Sequence, residues 1–183
     1  AFRAVARECG YDFRLLDEVM RINEEQRERF LRKIHHALWT LRGKKLAVLG
    51  LAFKGGTDDI RESPALLLVE SLLQEGSTIR AYDPAAMERA REVLGSKIEF
   101  ASSPYEAADG ADALLILTEW EEFANLDLNQ IRKELRYPIV IDGRNLYDPE
   151  LMAAQGFTYY SVGRAASHPD GVPPGLIRNG KKA

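Results

Sequence analysis

Lys54-Gly55-Gly56-Thr57-Asp58-Asp59 and then Arg61 stand just ahead of Ser63-Pro64, a good helix cap followed by proline at a first helical position. Glycines let backbone approach a ligand closely, a helix start presents unpaired N–H groups, and lysine with arginine supplies positive charge. Together these suit a diphosphate. The spacing meets neither G-x-G-x-x-G nor G-x-x-x-x-G-K-[ST], so the dinucleotide and Walker fingerprints are both unmet. The rival reading is an ordinary turn in which Lys54 and Arg61 pair with Asp58, Asp59 and Glu62. Asp83-Pro84 offers a carboxylate where a nucleotide-binding unit holds a ribose hydroxyl, yet Asp-Pro is equally a turn starter. Asp142-Gly143-Arg144-Asn145 follows an apolar run, and its Arg144 is sited either to meet phosphate or uracil or to tie down a loop. Trp120, in Thr118-Glu119-Trp120, could stack on a base but reads better as cover for a sheet edge.

Other reactive residue types carry less. Cys9 has acidic neighbours in Glu8 and Asp12 and no His nearby in sequence, so it reads as structural rather than nucleophilic. His35 and His36 are adjacent, point to different faces of a helix and cannot form an i,i+4 metal pair. With His168 the only other histidine, no metal site is expected.

The elements that must position these loops follow from periodicity. A break at Cys9-Gly10-Tyr11-Asp12, where Gly10 suits a left-handed position and Asp12 a cap, precedes a helix expected from Phe13 to about Leu41. Its middle, Asn23 to Arg29, has no apolar residue, while Glu25/Arg29 and Glu28/Arg32 form i,i+4 pairs. This helix is either a solvated face or a strut that joins domains or subunits, with Leu16, Met20 and Asn23 toward a partner. Arg42-Gly43-Lys44-Lys45 ends it. Leu46–Leu49 then reads as a buried parallel strand, followed by the glycine-rich loop, a helix over 64–75 and a strand at Thr78–Tyr82. Helix 85–94, strand 98–100, helix 104–109, strand 113–117, helix 127–135 and strand 139–141 continue the alternation. The predicted class is α/β, a doubly wound, Rossmann-like parallel sheet preceded by a long helix. Three regions are expected: helices over 1–41, the sheet domain over 42–165, and an irregular tail over 166–183, loose beyond Gly163.

Composition agrees. The 183 residues are 45% hydrophobic and 29% charged, as in an ordinary globular protein. A net charge of −3 argues against a broad nucleic-acid footprint, so any cation cluster must be local. No apolar run approaches the ~20 residues that span a bilayer, and the first residues have no signal-peptide pattern, so the cytoplasm is the expected compartment. A single Cys excludes an internal disulfide. An opening at Ala1-Phe2-Arg3, without Met, reads as a fragment.

The segment from Gly50 to Ala65, GLAFKGGTDDIRESPA, resembles the signature that opens the C-terminal domain of the UDP-glucose/GDP-mannose dehydrogenase family. The similarity continues through Ala81-Tyr-Asp-Pro, Leu117-Thr-Glu-Trp-Glu-Glu-Phe, Ile141-Asp-Gly-Arg-Asn-Leu-Tyr and Phe157-Thr-Tyr-Tyr-Ser-Val-Gly-Arg. Upstream, Ala6 to Asn23 is similar to the family's central helix, which joins two Rossmann-like domains and forms a dimer core. The resemblance implies oxidation of a nucleotide sugar's C6 alcohol to a carboxylate, with two NAD⁺ and one water, through a thioester on a Cys. It implies Phe53 and Lys54 at the nucleotide sugar, Arg144 at its UDP portion, Arg61 reaching across an interdomain cleft to NAD, and a homodimer through the long helix. UDP-glucose is the expected substrate, with UDP-N-acetylmannosamine, GDP-mannose or a non-catalytic dimerising scaffold as alternatives. The nucleophile's segment, Gly-Gly-x-Cys-x-Pro-Lys-Asp, does not occur in these residues and is expected just upstream of Ala1; Cys9 does not match it. No catalytic residue is therefore assigned within the chain, and these 183 residues alone are expected to be inactive, with NAD held mainly by a preceding domain.

Overall fold

The computed structural model describes residues 5, 6 and 8–169. Six parallel strands form one sheet in the order β3-β2-β1-β4-β5-β6: β1 (Lys45–Leu49), β2 (Thr78–Tyr82), β3 (Glu99–Phe100), β4 (Ala113–Ile116), β5 (Ile139–Asp142) and β6 (Thr158–Ser161). Besides helical residues 5, 6 and 8, seven α-helices accompany them among the described residues: α1 (Arg14–Leu38), α2 (Pro64–Gln74), α3 (Met87–Leu94), α4 (Pro104–Ala108), α5 (Glu121–Ala124), α6 (Leu128–Glu134) and α7 (Pro149–Ala154). The chain is thus the doubly wound, Rossmann-like fold that the alternation predicts.

The strands carry apolar side chains on both faces because both are covered. Leu46, Val48, Ala113, Leu115, Ile139, Ile141 and Tyr160 face α1, α2 and α3, where Ile34, Leu38, Leu68, Val69, Leu72 and Leu94 complete one core. Ala47, Leu49, Leu114, Ile116, Val140 and Tyr159 face the other way, onto Phe123, Ile131 and Met152 of α5, α6 and α7. The strand order reverses between β1 and β4. In such a sheet the crevice outside the carboxyl ends of the strands opens at that point.

Helix α1 is amphipathic in two stretches. Its last turns bury Ile34, Ala37 and Leu38 against the sheet, whereas Leu15, Val19 and Ile22 are exposed. The i,i+4 pairs Glu25/Arg29 and Glu28/Arg32 are present at 3.8 and 3.6 Å. Leu41 was expected inside this helix, but the helix ends at Leu38. Trp39 turns to φ 64° and donates its N–H to the His35 carbonyl, which redirects the chain so that Leu41 enters the core. Asp12 does not cap α1; its carboxylate pairs with Arg14.

Two helices and a strand were not read from the sequence. Helices α5 and α7 are only 4 and 6 residues long. Strand β6 continues the parallel ladder beyond β5, with Ile139 to Asp142 in register with Thr158 to Ser161. The segment past Gly163 is held in place as far as Pro169: Ser167 pairs with Tyr159 in an antiparallel bridge, and His168 lies edge-on to Tyr160. Residues 170–183, the rest of the expected tail, lie outside the described residues. No helix among the described residues is long and apolar enough to cross a membrane, and no group of His, Cys, Asp or Glu there could hold a metal.

Candidate functional site

The loops after β1, β4 and β5 meet at one rim. Three backbone hydrogen bonds continue the ladder into it: Gly50 N–H to Tyr82, Leu117 N–H to Leu49 and Gly143 N–H to Ile116, all between 2.8 and 2.9 Å. Gly50 has φ 95°, and a Cβ there would lie 1.9 Å from Thr118 Oγ1, so only glycine lets the first loop leave β1 against β4.

The first loop is held from below by Asp83. Its buried carboxylate accepts from Leu51 and Ala52 N–H at 2.7 and 3.0 Å through Oδ2, and from Ala85 and Ala86 N–H at 2.9 and 2.8 Å through Oδ1. Both oxygens are thereby consumed by backbone. Asp83 is an internal brace rather than a ribose ligand, which decides between the two readings of Asp-Pro. Ser63 also departs from expectation. It stands at the N-cap of α2, but its hydroxyl donates to the Leu51 carbonyl at 2.8 Å instead of capping the helix.

Above this brace the loop turns outward. Phe53 N–H donates to the Asp59 carbonyl at 2.7 Å, which closes a hairpin-like loop with Phe53 and Lys54 exposed at its front. Of the expected turn pairs, Arg61 takes Asp59 through Nε and Nη2 at 2.9 and 2.7 Å, whereas Asp58 pairs outside the loop, with Arg89 at 2.9 Å. The Arg61 guanidinium holds the Asp59 carboxyl well below the usual carboxylate range. No ion pair involves Lys54 among the described residues.

Glu119, in the loop after β4, joins the first loop to the third. Its backbone carbonyl lies 2.2 Å from where a Gly55 Cβ would stand, and its Oε1 accepts from Gly55 N–H at 3.3 Å. Its Oε2 lies 3.2 Å from Arg144 Nε. Arg144 is fixed twice more: Nε donates to the Leu117 carbonyl at 2.8 Å, and its backbone N–H donates to Asp142 Oδ1 at 2.7 Å. Spending Nε on the protein leaves the two terminal nitrogens of the guanidinium as donors for an anion.

The structure therefore brings Lys54, Gly55 and Arg144 to one rim, with Phe53 in the same loop. Arg61 lies farther along that loop, 84% exposed and held to Asp59. Trp120 is half-buried against the second core, as expected of cover, although its buried indole N–H has no hydrogen-bond partner among the described residues.

A second brace lies beneath Arg144. Asp142 is wholly buried and accepts from Leu146 N–H at 2.8 Å and from the Tyr159 hydroxyl at 2.8 Å through Oδ2. Asn145, at φ 57°, exchanges two hydrogen bonds with the Val162 backbone and so ties the loop after β5 to the end of β6. Sequence reading assigned no task to Glu119, Asp142, Asn145 or Tyr159. The only signal available was that Asp142 and Glu119 stand at strand ends.

Residues 47–149 match the model of the UDP-glucose/GDP-mannose dehydrogenase family, UDP binding domain. The chain is 40% identical over 166 residues to the UDP-glucose 6-dehydrogenase TuaD of Bacillus subtilis, an alignment that covers 91% of this chain and 36% of that protein. Among solved structures, a UDP-glucose dehydrogenase from Pyrobaculum islandicum aligns with TM-score 0.76 and 32% identity, covering 90% of this chain and 36% of that one. A UDP-D-ManNAc dehydrogenase from Pyrococcus horikoshii aligns with TM-score 0.71 and 33% identity, covering 87% of this chain and 36% of that one. The chain spans little more than a third of the length of these relatives. The signature loop, the braces beneath it and these alignments agree, and the chain belongs to the UDP-glucose/GDP-mannose dehydrogenase family.

Proposed function

We propose that the chain supplies the nucleotide-sugar-binding half of a UDP-glucose 6-dehydrogenase, which converts UDP-glucose, two NAD⁺ and water to UDP-glucuronate and two NADH. The observation that carries this reading is the link through Glu119 between Gly55, next to Lys54 in the chain, and Arg144. A diphosphate needs cations and N–H donors on more than one side, and loops from β1 and β5 supply them at the switch point of the sheet.

In this reading Lys54 and the terminal nitrogens of Arg144 hold the diphosphate, and the exposed ring of Phe53 covers the nucleotide sugar. NAD, when bound by the complete enzyme, supplies the hydride acceptor. Arg61 is exposed and carries free N–H donors beyond its Asp59 pair, which fits one contact to a cofactor phosphate across a cleft. The chain's share of the chemistry is orientation: it fixes the diphosphate so that the sugar C6 projects toward a nucleophile carried elsewhere in the protein. Alone, the 183 residues bind without turnover.

The name of the Bacillus subtilis relative supports UDP-glucose over UDP-N-acetylmannosamine or GDP-mannose as the substrate. The exposed Leu15, Val19 and Ile22 on α1 support burial of that helix against a second chain in a homodimer. The reading keeps the enzyme in the cytoplasm.

Isothermal titration of the chain with UDP, UDP-glucose, GDP-mannose and NAD tests the proposal. UDP and UDP-glucose should give saturable heat that is lost when Lys54 and Arg144 are replaced by Ala. Tighter binding of NAD than of UDP would overturn it, as would UDP heat that survives both replacements.

A further inference from the structure

A second cationic surface lies between α1 and β6. Arg29, Arg32, Lys33 and His36 of the helix, with Tyr160 of β6 and Ala166 beyond it, line an open groove of about 340 Å³. That is enough for a small organic anion rather than an ion alone.

The groove is chemically unfinished. Tyr160 is 7% exposed, and no hydrogen bond to its hydroxyl is present among the described residues. The hydroxyl itself is not enclosed and stays available to a ligand. The Ser167 hydroxyl, next to Ala166, is buried and has no hydrogen-bond partner among the described residues. Arg29 and Arg32 meet Glu25 and Glu28 only at 3.8 and 3.6 Å, through single nitrogens, so most of their donors remain free. Lys33 donates to the Ser161 carbonyl at 2.7 Å, which draws a further positive charge to the wall of the groove. One side is aromatic, since His36 and His168 stand edge-on to Tyr160 at 6.1 and 6.3 Å.

We infer that this groove binds a phosphorylated small molecule with a planar ring, its phosphoryl group held by Arg29, Arg32 and the Tyr160 hydroxyl and its ring against Tyr160 and His36. Charge argues against the following segment of the chain as its occupant: residues 170–183 contain Arg178, Lys181 and Lys182 against Asp170 alone. A cationic segment does not complement a cationic groove.

The three histidines make a direct test, because His36 lines the groove and His168 stands against its Tyr160, while His35 pairs with Glu75, just past α2, at 3.0 Å. NMR of the His ring resonances of the 183-residue chain is followed during titration with AMP and, separately, with inorganic phosphate. AMP should shift His36 and His168 but not His35, half-saturating at or below about 1 mM. Inorganic phosphate should require about tenfold more. The exposed pair R29Q/R32Q should weaken AMP at least about tenfold, whereas K54A/R144A should leave it unchanged. The inference is overturned by an absence of shift, by equal movement of all three histidines, or by phosphate acting as well as AMP, which would mean an adventitious ion only. It is also overturned if R29Q/R32Q binds normally or if K54A/R144A abolishes the effect. The rim after β1 and β5 can fail its own titration without touching this result.

Discussion

The Glu119 carboxylate lies 3.2 Å from Arg144 Nε while its other oxygen takes the Gly55 N–H, so one acidic side chain links the two loops that carry the cations. Both partners are more than a third exposed, 45% for Glu119 and 35% for Arg144, and the pair is worth only about 0–1 kcal/mol to folding. In the proposed reading its consequence is electrostatic: a carboxylate stands beside the cations that would hold a diphosphate. Glu119→Gln keeps an oxygen for Gly55 and removes that charge, so UDP affinity should rise about two- to tenfold, more at low salt than at high. Arg144→Ala should lower it at least about tenfold, the cost of a lost charge-assisted contact. Titration calorimetry at two ionic strengths reads both, and a loss of affinity in E119Q would contradict the account.

Gly55 should not tolerate a methyl group. Its Cβ would stand 2.2 Å from the Glu119 carbonyl oxygen, a backbone atom that cannot swing aside. Gly55→Ala should displace the loop, abolish detectable UDP binding and destabilise the fold by about 1–3 kcal/mol. Gly56, at φ 75° with open space around it, should lose about 1 kcal/mol on substitution by Ala through backbone strain alone and still bind UDP. Urea midpoints together with calorimetry separate the two.

Asp83 makes a different kind of prediction. Its removal leaves four backbone N–H groups without their acceptor, those of Leu51, Ala52 and Ala86 on buried residues, so Asp83→Ala should cost about 3 kcal/mol or more. Asp83→Asn keeps one accepting oxygen and should recover part of this. A ribose ligand would instead lose binding at unchanged stability, and equilibrium denaturation of D83A distinguishes the cases.

Burial pushes the phenols of Tyr147 and Tyr159 well above the ordinary tyrosine range, and the neighbouring Asp142 adds to it in both. The unfolded phenols ionise near pH ~10, whereas the folded ones keep their protons, so above that pH the native state binds more protons than the unfolded one. Stability should therefore be fully present below pH ~10 and fall as pH rises beyond it. Tyr159→Phe should flatten this alkaline slope, although it forfeits the hydrogen bond to Asp142 and lowers stability at neutral pH. Denaturation midpoints measured from neutral to strongly alkaline pH check the sign, and an unchanged slope in Y159F would refute the assignment.

The order of strands and long helices, the family signature and the identity of Lys54, Arg61 and Arg144 as loop cations were all readable from the 183 residues, because buried parallel strands and amphipathic helices write their period into consecutive positions. What the chain does with Asp83 and Ser63 was not. Each suits two local roles of similar energy, and the choice was made by Leu51, whose backbone reaches both side chains only after β1 and β2 are paired. The strand β6 and the link from Gly55 through Glu119 to Arg144 belong to the same class. They depend on contacts between residues far apart in sequence, whose geometry exists only once the sheet has assembled, and no local pattern encodes such a distance.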